Sequence, residues 1–194
     1  FGKFCAGSLL CWQIIFAINI YAQNSVQQDI DEIRKRGFAY LRVGNWESAG
    51  VEFENVLAVT PKDVLSIYGN SLALFNLKRY AESLTSLDIG VEILSQSKEN
   101  NSLLADLLVL SAVISAVQNQ NDLAISKLEK AIKLVPKHFD ANFSLGRAYF
   151  GNAEIDKSVN SFRQAVEIQP QNARSRFFLA TATSILPVAG LKFD

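Results

Sequence analysis

The sequence predicts an all-α fold, an α-solenoid of antiparallel helix pairs. Two observations carry this. First, AISKLEKAIKLVP (124–136) returns 34 positions later as SVNSFRQAVEIQP (158–170). Ala124, Leu128, Ala131 and Pro136 thus correspond to Ser158, Phe162, Ala165 and Pro170. A fixed period of this size marks units too small to fold alone, each burying its apolar face on its neighbours. Second, the 194 residues are 49% hydrophobic with only 4 Pro, which excludes a disordered or low-complexity chain and leaves room for four to five short repeats.

The first 28 residues stand apart. They hold one Lys (Lys3) and no Asp or Glu, whereas all 19 acidic residues lie from Asp29 onward. The apolar run 4–20, followed by the small residue Ala22 before Gln23, reads as an export signal over 1–22 with cleavage after Ala22. An uncleaved membrane anchor is the alternative, at about 17 residues short of the ~20 a span needs. SLLC before Cys11 lacks the small residue of a lipoprotein signal. Residues 23–29 are expected to be a linker. Both cysteines, Cys5 and Cys11, lie inside the leader, so a cleaved chain has neither disulfide nor thiolate ligand. Export without disulfides points to a bacterial periplasm or secretion, with a membrane-anchored form as the alternative. No Met occurs, even at position 1, and the expectation is a natural chain longer than this one.

Projecting the frame from Pro136 and Pro170 gives units 30–63, 64–97, 105–138 and 139–172, then a further helix 173–186 and a tail 187–194. Gly37 and Gly146 let paired helices approach closely, and Ala49 and Ala131 serve the same crossing from the other side. Tyr40, Phe53, Tyr149 and Phe162 fill the space between helices. Pro61, Pro136 and Pro170 end second helices. Gly44-Asn45 and Gly151-Asn152 mark turns within units.

The middle units depart from this. Unit 64–97 has Asn70-Ser71 where the outer units have a glycine, Gly90 at the last small position and Ser95 in place of Pro. A longer helix or a polar loop is expected over QSKENNS (96–102). Unit 105–138 has Ser111-Ala112 and Ser115 in place of the large wedge. The run LLADLLVLSAVISAV (103–117) is short for a membrane span and contains Asp106, Ser111 and Ser115, so it reads as a central helix covered on all sides.

The pattern Gly37, Tyr40, Gly44-Asn45-Trp46, Ala49, Phe53, Val56, Pro61, repeated as Leu145-Gly146, Tyr149, Ser158, Phe162, Ala165, Pro170, resembles the tetratricopeptide repeat, W-x2-L-G-x2-Y then A-x3-F-x2-A-x4-P. The resemblance covers 30–172 and implies about four repeats plus an extra C-terminal helix in a right-handed superhelix. It implies a groove lined by first helices, with partner-facing side chains at the second, fifth, ninth, twelfth and thirteenth places of each unit. Carried onto this chain, those places include Arg34, Phe38, Tyr68, Leu72, Phe75, Phe143, Arg147 and Phe150, with Val109, Val113 and Phe177 beside them. Members that clamp a C-terminal carboxylate use Lys and Asn where this chain has Arg34 and Phe38, so that specificity is not implied.

Chemistry is not indicated. His138, the one histidine, follows Pro136-Lys137 and reads as an exposed loop residue without an acid partner. Paired catalytic carboxylates, nucleophile motifs and phosphate-binding loops are all missing, so no catalytic residue, cofactor or metal is expected, and no small-molecule substrate. The formal net charge of zero removes the warrant for nucleic acid, and Arg34-Lys35-Arg36 reads as a solvated helix face. The sum is a non-enzymatic, exported interaction scaffold for a protein, peptide or partner helix. The alternatives are a membrane-anchored envelope assembly factor, touching membrane only if 1–22 is retained, or an accessory domain of a larger protein. Phe177, Phe178 and Leu179 on the last helix suggest self-association there.

Overall fold

Side chains able to close a helix N-terminus recur in register. Asp63, His138 and Asn172 each accept a hydrogen bond from the backbone N–H three residues on, at Ser66, Ala141 and Ser175. Asn45 and Asn100 do the same for Ser48 and Leu103. Such caps satisfy donors that the first turn leaves open. The computed structural model describes residues 6–97 and 100–186. Among these it contains nine helices and no strand: α1 (Ala6–Arg42), α2 (Trp46–Val59), α3 (Val64–Asn76), α4 (Tyr80–Ser97), α5 (Asn101–Val117), α6 (Asn121–Leu134), α7 (Phe139–Gly151), α8 (Ile155–Ile168) and α9 (Ala173–Ile185). Lys3, Cys5 and the tail 187–194 lie outside the described residues.

The helix α1 crosses the expected leader, the expected linker 23–29 and the first repeat helix without a break. Among its described side chains the first buried one is Ile30, at the start of the first unit. The insertion between the middle units becomes helix on both sides. α4 has 18 residues against 14 in α2, α6 and α8, and α5 has 17 against 13 in α3, α7 and α9. α5 therefore starts at Asn101, a turn ahead of the frame.

α2, α6 and α8 each end two residues before Pro61, Pro136 and Pro170. The turn inside each unit carries one residue in the left-handed region: Gly44 (φ 75°), Lys78 (61°), Asn119 (61°) and Ala153 (58°). In the last unit this residue is Ala153, not Gly151-Asn152, because α7 continues through Gly151.

Four clusters of buried residues, each shared between successive helices, form the core among the described residues. First helices also meet directly, α1 with α3, α3 with α5 and α5 with α7. α5 buries Leu104, Leu107, Leu110 and Ile114 toward α3 and α4, and Ala105, Val109 and Ala112 toward α6 and α7. It is the covered central helix that its composition implied. Among the described residues no helix is long and apolar enough to cross a membrane.

Candidate functional site

The first helices share one face, and three cavities run along it. α1 and α3 enclose about 630 Å³ between Phe38, Leu41, Trp46 and Leu72. Tyr68 and Leu72 on α3, Val109 and Val113 on α5, and Phe143 and Arg147 on α7 enclose about 260 Å³. A third cavity of about 440 Å³ opens between Phe75, Val113, Val117 and Arg147. Leu72 joins the first to the second, and Val113 and Arg147 join the second to the third, so the three form one groove.

Six of the eight residues singled out in the sequence thus line the groove: Phe38, Tyr68, Leu72, Phe75, Phe143 and Arg147. Arg34 does not join them. Its guanidinium pairs with Asp31 and Asp63, both at 3.1 Å, in a separate depression beside Pro61. Phe150 packs on the α7–α9 core and lines none of the three cavities. Phe143 has a double role, being only 6% exposed and in ring contact with Phe139, Phe162 and Phe178. Phe177 is 66% exposed and lies edge-on to Phe178.

Charges that the sequence reading left out also reach the groove. Asp106, Asp140 and Arg174 each occupy the second place of their unit, and all three line the middle cavity. The frame itself carried that signal. Arg174 lies over the Phe143 ring, 5.2 Å from its centroid, within cation–π range. Burial pushes the Tyr68 hydroxyl up to about 12, and the carboxylates Asp106 and Asp140 add to the rise.

His138 corrects the reading of an exposed loop residue. Its Nδ1 accepts from the Ala141 N–H at 3.2 Å, and its Nε2 lies 2.9 Å from Asp106 Oδ1. The ring is therefore a helix cap and a tie between α5 and α7, with an 11% exposed side chain. Hydrogen bonding to Asp106 raises its pKa, and burial opposes that rise. Among the described residues no cluster of His, Cys, Asp and Glu could hold a metal ion.

Residues 116–173, from the end of α5 through α8, match the family model for the tetratricopeptide repeat. Solved structures extend the likeness over most of the chain. A crystal structure of MamA protein is 19% identical, covers 80% of this chain and 81% of that one, and gives a TM-score of 0.63. MamA 41-end from Desulfovibrio magneticus RS-1 is 21% identical over 80% of this chain and 84% of that one, also at 0.63. The APC/C hetero-tetramer Cut9-Hcn1 is 14% identical and covers 77% of this chain, with a TM-score of 0.71. This chain spans only 29% of that one. At such identities the likeness is one of fold, a tetratricopeptide-type solenoid, and that fold is consistent with an interaction scaffold.

Proposed function

We propose that this chain is a scaffold that holds a peptide or partner helix in the groove along its first helices. One observation carries the reading. Phe38, Tyr68, Leu72 and Phe75 pack on the core with one side, yet stay only half-buried and line adjoining cavities on one face. Apolar side chains left open in a row, with polar groups at their edges, are the ordinary makings of a peptide-binding surface. Residue-resolved NMR with short amphipathic peptides tests it. The amide signals of Tyr68, Val113 and Arg147 are expected to shift, and those of the exposed Val51 and Val59 on α2 to stay. Shifts confined to second helices would remove the groove from the reading.

We further propose that the chain acts outside the cytoplasm, a reading supported by the acid-free residues 1–28 and the apolar run 4–20 within them. Mass spectrometry of the protein from its native cells is expected to find an N-terminus at Gln23. A retained upstream segment would point instead to the membrane-anchored form.

A further inference from the structure

Charge is distributed unevenly across the groove. In the cavity between Phe75 and Arg147 the single ionisable lining residue is Arg147. In the cavity between Phe38 and Leu72 the ionisable lining residues are Lys35 and Arg42. Neither lining contains Asp or Glu. The acidic groups of the groove, Asp106 and Asp140, lie in the middle cavity together with Arg147 and Arg174, and Asp140, in the first turn of α7, also complements the helix dipole.

The basic groups are also free. Among the described residues Arg34, Arg36 and Arg79 each form an ion pair, whereas Lys35, Arg42 and Arg147 form none. All three are exposed. The formal net charge of the chain is zero, so this basic edge is local and no general cationic field accounts for it. Leu72 and Phe75 lie within one turn of α3 and open into the two basic cavities, so a single bound segment can reach both.

From this arrangement we infer that the groove selects an acidic amphipathic segment of a partner protein. Its apolar side chains enter the two cavities beside α3, and Asp or Glu side chains next to them meet Arg147 on one side and Arg42 and Lys35 on the other. Asp106 and Asp140 disfavour those carboxylates in the middle cavity, which favours the register that keeps them beside Arg147, Arg42 and Lys35. The recognised charges are side-chain carboxylates within the segment, so a free chain terminus is not required. The inference rests on the groove reading above.

Three sets of short fluorescent peptides, blocked at both ends, separate the outcomes. The sets share Leu and Phe anchors at i and i+4 and differ in carrying Glu, Gln or Lys elsewhere. With the full chain, anisotropy is expected to rank Glu above Gln above Lys, with the Glu set at least about tenfold tighter than the Lys set at low salt. Added salt narrows the gap. The double variant Arg42→Glu and Arg147→Glu is expected to reverse the order while circular dichroism stays unchanged, since both side chains are exposed. Equal affinity of the three sets overturns the charge selection and leaves the groove standing. An order that survives the double reversal also overturns it, as does binding that appears only when the peptide C-terminus is unblocked. Binding of none of the sets to the unaltered chain removes the groove reading with it.

Discussion

The last complete unit, α7–α8, and the central one, α5–α6, solve the same packing problem with different volumes. In α7–α8 the Phe162 ring lies on Gly146, and a Cβ added at Gly146 would come within 2.6 Å of that ring. In α5–α6 the corresponding residues are Ala112 and Leu128, 0% and 1% exposed. The first unit follows the first solution, with Phe53 on Gly37, and the second unit follows the other, with Leu87 opposite Ser71. A glycine faces a ring; a methyl or hydroxymethyl faces a leucine. The repeat conserves the summed volume at the crossing, which cores tolerate better than a change in total volume.

Emptying the two crossings should break the comparison most severely. Phe162→Ala is expected to cost about 4 kcal/mol and Leu128→Ala about 3 kcal/mol in urea unfolding, because the ring leaves the larger cavity. Phe53 is a harder case, since its ring is held between Gly37 and Gly69, where added Cβ atoms would fall 2.9 and 2.3 Å away. Equal losses at Phe162 and Leu128 would show that neighbouring helices collapse into the larger space.

Exchanging one solution for the other sharpens the point. Gly146→Ala alone is expected to cost about 2 kcal/mol by overpacking. Gly146→Ala with Phe162→Leu rebuilds the Ala112–Leu128 pair, and the double variant should lose less than the sum of its single changes by about 1 kcal/mol. Strict additivity in the denaturation midpoints would mean that the two positions do not share one volume.

The turns differ between units in a way that a smaller measurement can reach. Gly44 holds its positive φ without strain, whereas Ala153 holds the same conformation with a Cβ in the way. Ala153→Gly is expected to stabilise by about 1 kcal/mol, and Gly44→Ala to destabilise by about as much. Thermal midpoints that move the same way for both would refute the equivalence of the two turns.

The periodic residues made the architecture legible. Pro61, Pro136 and Pro170 marked helix ends, and small residues marked crossings. Lys78 and Ala153 gave no chemical sign of a left-handed turn beyond their register with Gly44, whereas Asn119 is of a type that tolerates it. The directions in which side chains leave a helix were legible from the frame. Pairing across helices was not, because it depends on distances between units. Arg34 was expected in the groove and is held by Asp63, 29 residues away. Phe143 faces the groove and is at the same time core, since α9 brings Phe178 against it.

His138 shows the same limit, and it tests the smallest effect. Asp63 and Asn172 cap their helices from the same register position, so the cap at His138 could have been read from the frame. The tie to Asp106 could not, since it joins separate units. Neutral His138 accepts from Ala141 through Nδ1 and donates Nε2–H to Asp106; the imidazolium gives up the cap and gains an ion pair. The raised pKa means that the hydrogen bond to Asp106, with the charges of Asp106 and Asp140, outweighs burial. The sign follows from linkage: this contribution is complete below the unfolded value of about 6.5 and fades as pH rises through the higher folded value. His138 is the only histidine, so its ring proton signals report the titration without ambiguity. The midpoint is expected above about 6.5 in the folded chain, and Asp106→Asn should bring it down. A raised midpoint that Asp106→Asn leaves in place would mean that the charge of Asp140, rather than the Asp106 carboxylate, keeps the ring protonated.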